Sequence, residues 1–148
     1  MGTLMVQAGT VASDADVETL RQIRNSGRQW MTRSTAEISP EQQAAWWTQR
    51  NARTCRVWLF RIADTAVGYG LLRLEHARWW CSLAVLPRFQ GQGYGRAIYT
   101  YLACACDGDT WAEILADNRP SIRACLGAGF DLHAVLDQHA LLVYRRNA

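Results

Sequence analysis

Lysine is absent from this chain, and all sixteen basic residues are arginine. The absence excludes a Walker A lysine, a Schiff-base lysine and a lysine general base. The five cysteines (Cys55, Cys81, Cys104, Cys106 and Cys125) are an odd number with neither CxxC nor Cys/His metal-ligand spacing. They support neither a disulfide framework nor a metal site, and they fit reduced intracellular thiols. Cys104 and Cys106 fall two apart in a predicted helix, where side chains do not face each other. No apolar run approaches the length of a membrane span, and the opening MGTLMVQAGT lacks the basic and apolar segments of a signal peptide. The expectation is a cytoplasmic protein without a membrane partner. A net charge of +3 carried by scattered arginines does not point to nucleic acid as a partner. Linkers, repeats and low-complexity stretches are missing too, so residues 1–148 are expected to form one domain.

What is present reads as alternating strand and helix signals. MVQAGTVA suggests a first strand, followed by Ser13 or Asp14 as the N-cap of a helix through Val17, Leu20 and Ile23 toward Trp30. Ser39, Pro40 and Gln42 form a capping-box signature for a second helix running to about Asn51. The stretches TCRVWLFRIA, AVGYGLLRLEH and RWWCSLAVLP are rich in β-branched and aromatic residues, with breaks at Ala63-Asp64-Thr65 and Ala77. They predict an antiparallel meander. A third helix over Gly93 to Cys106 follows a glycine-rich turn. The strand TWAEILAD comes next, then a short helix from Arg119 to about Gly127, then the strands FDLHAVLDQ and ALLVYRR. The order β-α-α-β-β-β-α-β-α-β-β implies an α/β (α+β) fold: a mixed sheet of about seven strands with about four helices, parallel only at the crossover around the third helix.

The strongest chemical signal is the run Leu83-Ala84-Val85-Leu86-Pro87-Arg88-Phe89-Gln90-Gly91-Gln92-Gly93-Tyr94-Gly95-Arg96. A strand ends at a proline, and three alternating glycines lead into a helix. Glycines let the backbone turn tightly and approach a ligand, and free N–H groups at a helix N-terminus favour an anion such as a pyrophosphate. A dinucleotide fingerprint is excluded because Arg96 stands where its third glycine belongs. The simpler alternative is a tight strand-to-helix turn and nothing more.

Gln90-Gly91-Gln92-Gly93-Tyr94-Gly95 resembles the (Q/R)-x-x-G-x-(G/A) pyrophosphate loop of the GNAT superfamily of acyl-CoA N-acyltransferases. Leu83-Ala84-Val85-Leu86-Pro87 resembles the strand before that loop. The segment from Asn118 to Phe130 is similar to the family's N-x-x-A-x-x-x-Y-x-x-x-G-F run: Asn118, Gly129 and Phe130 match, Ser121 replaces alanine, and Cys125 replaces tyrosine. The resemblance implies an acetyltransferase that uses acetyl-CoA as its donor cosubstrate and needs no metal. It places the pyrophosphate on the N–H groups of Gly91, Gln92, Gly93, Tyr94, Gly95 and Arg96 after Gln90. It also places the pantetheine arm along Leu83, Ala84 and Val85, whose N–H groups would polarise the thioester carbonyl, and sets Asn118 beside that arm. Helix capping alone is the other role open to Asn118.

The resemblance further implies direct attack by a neutral amine in a ternary complex, so a base must take a proton. Glu113 lies five residues before Asn118, the spacing of the catalytic glutamate in ribosomal-protein alanine acetyltransferases of this superfamily. Its alternative is a solvated strand glutamate. Cys125 stands at the position of the tyrosine that protonates the departing thiolate, with a buried helical cysteine as the alternative. Glu75, His76 and Asp117 are reserve bases. Another branch places its base near position 79, where this chain has Trp79. Trp30, Trp46 and Trp79 are the expected acceptor-binding residues, lining an aromatic pocket or meeting a cation; otherwise the tryptophans fill the core. Because directions alternate along a strand, only one of Trp79 and Trp80 can face the pocket. The expected acceptor is a small amine or amino sugar, or a protein amine, taken up by a monomer or homodimer. The alternative function is an acyl-CoA-binding sensor or interaction module that transfers nothing.

Overall fold

Residues 55–85 set the architecture, because valine, leucine, tryptophan, phenylalanine and tyrosine recur there with interruptions only two residues long. The computed structural model describes residues 6–146. The strands are β1 (Gln7–Thr10), β2 (Cys55–Ile62), β3 (Thr65–Glu75), β4 (Arg78–Val85), β5 (Thr110–Leu115), β6 (Asp131–Leu136) and β7 (His139–Tyr144). The helices are α1 (Asp14–Ser26), α2 (Pro40–Gln49), α3 (Tyr94–Ala105) and α4 (Arg119–Gly127). Type and order follow the sequence expectation, although Met5, at the start of the expected first strand, lies outside the described residues.

The seven strands form one sheet in the order β1-β2-β3-β4-β5-β7-β6. Only β4 and β5 are parallel, joined by the crossover through α3. The β2–β3 and β3–β4 connections are two-residue turns, Ala63-Asp64 and His76-Ala77, with Ala63, His76 and Ala77 in left-handed conformations. Such turns match the twist of paired strands even without glycine.

The predicted capping box at the start of α2 exists in the folded chain, and a second, not anticipated from the sequence, closes the start of α1. Ser39 and Gln42 exchange hydrogen bonds at the start of α2, and Ser13 and Asp16 do the same at α1. All three prolines (Pro40, Pro87 and Pro120) stand in the first turn of a helical segment, where a missing N–H costs nothing. Helix α1 stops at Ser26, short of Trp30. Gly27 follows, its N–H closing on the carbonyls of Arg24 and Asn25, and a 3-10 turn spans Arg28–Trp30. Helix α3 ends at Ala105 with Cys106 already extended, so Cys104 and Cys106 do not share the helix.

Helices cover both faces of the sheet. On one face Ile98 and Leu102 of α3, Cys125 of α4 and Phe130 just beyond it pack against Phe60, Leu72 and Leu142. On the other face, α1 packs Val17, Leu20 and Ile23 against Leu59, Tyr69 and Leu71. Full burial of each such side chain stabilises the fold by roughly 1.5–3 kcal/mol. Gly70 lets α3 come close, since a Cβ there would stand 3.0 Å from Ile98 and 3.1 Å from Leu102.

Strands β4 and β5 pair only over Trp79–Cys81 and Thr110–Ala112. Beyond that base they part: Ser82–Val85 keeps its partner in β3 and Glu113–Leu115 its partner in β7, but neither meets the other. The sheet is therefore split in its middle, from one helical layer to the other.

Candidate active site

A cleft of about 970 Å³ occupies the split. At one end lie the tip of β4, the glycine loop and the first turns of α3 and α4; at the other lie Trp30, Trp46, Arg73 and Trp80, next to Glu113.

The glycine loop is held by its own side chains. Gln90 Nε2 donates to the Val85 carbonyl at 3.0 Å, which ties the loop to the end of β4. Gln92 Nε2 donates to the Arg88 carbonyl at 3.2 Å. Gly91 and Gly93 have φ values of 75° and 92°, the left-handed region that glycine enters without strain. Gly93 caps α3 without a side chain, so the first-turn N–H groups of Tyr94, Gly95 and Arg96 have no capping partner. Together with the helix dipole they suit an anion. Gln90, Gly91, Gly93, Gly95 and Arg96 line the cleft as expected. The side chains of Gln92 and Tyr94 do not. Gln92 folds back on Arg88, and Tyr94 is buried edge-on to Phe89 at 6.1 Å. Those two positions can offer a ligand only their backbone.

Strand β4 presents an open edge to the same space. Leu86 N donates to the Val67 carbonyl at 2.9 Å. Alternation along an antiparallel ladder then turns the Leu83 and Val85 N–H groups away from β3, into the gap left by β5. Leu83, Ala84 and Val85 all line the cleft. Asn118 lines it too while capping α4, its side chain accepting from Ser121 N at 3.4 Å. The Tyr99 and Ser121 hydroxyls lie 2.7 Å apart on the same wall.

Glu113 enters the cleft from β5 just past the point where the strands separate. Its Oε2 lies 2.5 Å from Nδ1 of His139 on β7. Both side chains are about one-third exposed, at 31% each. Sequence reasoning missed His139, because its proximity to Glu113 depends on the β5–β7 pairing across 26 residues, which no local pattern announces.

Cys125 is not brought to the cleft. It is fully buried on the inner side of α4, and burial pushes its thiol well above the ordinary range, which disfavours proton donation to a ligand. Its neighbour Ala124 lines the cleft instead. Trp79 is likewise misplaced by the sequence expectation. It shares the face of Cys81, packs toward α3 and carries Arg56 over its ring at 4.9 Å. Trp80, on the opposite face, is the member of the pair that lines the cleft, with Trp111 beside it at 6.1 Å. Trp30 and Trp46 line it as expected.

Of the reserve bases, Glu75 bonds to Arg33, whose guanidinium, with Arg73 behind it, holds the carboxyl below the usual range. Neither His76 nor Asp117 lines the cleft. Arg33, Arg73 and Phe89 join the lining without having been singled out from sequence. Among the described residues, no helix is long and apolar enough to cross a membrane, and no group of three or more His, Cys, Asp or Glu side chains is placed to hold a metal.

Residues 18–130 match the sequence profile of the Acetyltransferase (GNAT) family. No curated protein matches the sequence. Among solved structures, the chain is similar to a GNAT superfamily phosphinothricin acetyltransferase of Sinorhizobium meliloti in complex with AcCoA. That match has a TM-score of 0.81 and 16% identity, and covers 96% of this chain and 89% of that one. A ribosomal-protein-alanine N-acetyltransferase of Brucella melitensis superposes with a TM-score of 0.73 at 21% identity, covering 95% and 97%. A spermidine N-acetyltransferase of Vibrio cholerae, in complex with CoA and spermine, has a TM-score of 0.76 at 11% identity, covering 93% and 92%. The fold is shared with all three. With a family match over most of its length, a sheet parted between β4 and β5, and a glycine loop at the mouth of that gap, this chain belongs to the GNAT family of acetyltransferases.

Proposed function

We propose that the chain acts as one domain, residues 1–148, that transfers an acetyl group from acetyl-CoA to a primary amine by direct attack within a ternary complex. The observation that carries this reading is the continuity of the cleft, which joins an anion-ready loop and an open strand edge to a carboxylate. The N–H groups from Gly91 to Arg96 would take the pyrophosphate, and Leu83 and Val85 would pair with the pantetheine arm.

An ammonium has no lone pair, so Glu113, oriented by His139, takes a proton from the acceptor. The neutral amine then attacks the thioester carbonyl, the new C–N bond forms, and the C–S bond breaks. The nitrogen sheds its extra proton and the thiolate gains one from water, so one acetylated amine, one free CoA thiol and one proton result. The N–H groups of the β4 edge stabilise the developing oxyanion. The acceptor on this reading is a small amine or amino sugar, or a protein amine, and relatives that act on ribosomal-protein alanine and on spermidine lend support to an amine. A cytoplasmic monomer or homodimer belongs to the same proposal, in keeping with five free cysteines.

A second reading, an acyl-CoA sensor without transfer, is favoured by one observation: the buried Cys125 supplies no proton donor where many relatives carry a tyrosine. Release of CoA thiol from acetyl-CoA across an amine panel, with thermal shift measured in parallel, separates the two. Amine-dependent release is the expected outcome. Stabilisation by acetyl-CoA without release for any amine, peptides included, would favour the sensor.

A further inference from the structure

At the acceptor end of the cleft two arginines meet one carboxylate. Glu75 accepts from both Nη1 and Nη2 of Arg33, the former at 2.9 Å, and Nε of Arg73 lies 3.0 Å from its Oε2. Two guanidiniums therefore lean on one carboxylate, and Arg73 is the one held there without a hydrogen bond. Its Nε is buried and, despite the short distance to Glu75, lacks hydrogen-bond geometry, and no described residue accepts a hydrogen bond from its guanidinium. Arg24, the other arginine nearby, is committed to the Ser34 and Ala36 carbonyls and serves to strap the loop between α1 and α2.

Position gives the Arg73 guanidinium a use. Arg73 lines the cleft and stands opposite Trp80, which in turn stands opposite Trp111, two residues before Glu113. Arg73 and Glu113 thus project from the same face of the sheet, with Cα atoms roughly 12 Å apart by strand spacing and rise. Both side chains line the same cleft, so an acceptor lying between them meets a base at one end and a cation at the other. Glu75 meets only the Nε side of Arg73, and the planar fork of a guanidinium with donors to spare suits a second carboxylate. The walls between are apolar: Met31, Ile38, Trp46 and Leu71.

We infer that the acceptor is a free amino acid or a close analogue, its amine at Glu113 and its carboxylate on Arg73, with an apolar side chain against the tryptophan wall. This narrowing rests on the transfer reading above. A polyamine would bring a second positive charge against Arg73. A neutral amino sugar has no anion, and the N-terminus of a protein carries an amide where a free amino acid carries its α-carboxylate.

The test compares leucine, methionine and phenylalanine with their amides and decarboxylated amines in the CoA-release assay, using wild type, Arg73→Gln and Arg73→Lys. In parallel, calorimetry measures binding of the N-acetyl amino acids and their amides to the CoA-loaded protein. A free amino acid is expected to exceed its amide and its decarboxylated amine by about 100-fold or more in kcat/KM, since a site built for a polar group rejects the analogue lacking it. Arg73→Gln should reduce that ratio to within about threefold with acetyl-CoA binding unchanged, and Arg73→Lys should restore part of it. Equal use of amide and acid, or an unchanged ratio in Arg73→Gln, would overturn the inference. Absence of CoA release from every amine would count against transfer, and the binding arm would then decide the present point. Tighter binding of the acid than the amide, lost in Arg73→Gln, sustains the inference, while no preference overturns it. Because acid and amide are compared on wild type alone, a variant that fails to fold leaves the test intact.

Discussion

Cys125 and Ala124 are neighbours on α4, yet only Ala124 reaches the cleft. The sequence placed Cys125 at a position of chemistry, and the turn of the helix assigned it to the core. Cys125→Ala is accordingly expected to keep kcat within about threefold while lowering stability by about 1 kcal/mol, the scale of a small core truncation; steady-state rates and urea midpoints check both. Glu113 carries the opposite expectation. Glu113→Gln keeps the shape of the side chain and removes the proposed base, so kcat should fall by about 100-fold or more with acetyl-CoA binding unchanged, as single-turnover rates and thermal shift would report. That Glu113 lines the cleft was anticipated through the family resemblance, by its spacing to Asn118. The positions of His139 and Arg73 were not, because each is set by pairing with a strand that no local pattern announces. Trp79 was chosen over Trp80 for the same reason: alternation says that the two diverge, but only the sheet's two helical layers say which way each points.

Among the elements, those written locally were the most readable. The capping box at Ser39, the proline punctuation and the run of strands from β2 to β4 all follow from near neighbours in sequence. Ends were less so, as the stop of α1 at Ser26 illustrates. The start of α1 also carries a pH dependence. Hydrogen bonds from the Ala12 and Ser13 N–H groups, with Arg61 of β2 alongside, hold the Asp16 carboxyl below its usual range. A depressed native value means that the contribution is present above the unfolded value of about 3.9 and disappears as pH falls through the native one. Asp16→Asn should therefore lower the urea midpoint at pH 7 and make little difference near pH 2. At the junction of β3 and β4, Gly68 answers to packing. A Cβ there would stand 2.5 Å from the Ala84 carbonyl oxygen, on the strand expected to hold the cosubstrate. Gly68→Ala should cost on the order of 3 kcal/mol by overpacking and also weaken acetyl-CoA binding, a pairing that calorimetry with and without ligand would detect.

For the whole molecule, the order of elements was enough to expect a mixed sheet, but nothing in it marks where two parallel strands stop pairing. The glycine loop pointed to a site, whereas the gap that gives the loop its cleft is a property of the assembled sheet. Acetyl-CoA at about 100 times its Kd should stabilise the protein by about 2.7 kcal/mol. Hydrogen exchange would locate the effect: slowed amides at Leu83 and Val85, whose N–H groups face the gap, with no comparable change at Ala84, which already bonds to β3. The same parting of the strands also governs traffic. A continuous sheet is a wall, and this one has a window, with the glycine loop on the α3 and α4 side and the tryptophans on the α1 and α2 side. On the proposed reading, donor and acceptor would therefore have separate doors, and neither would have to leave before the other could arrive.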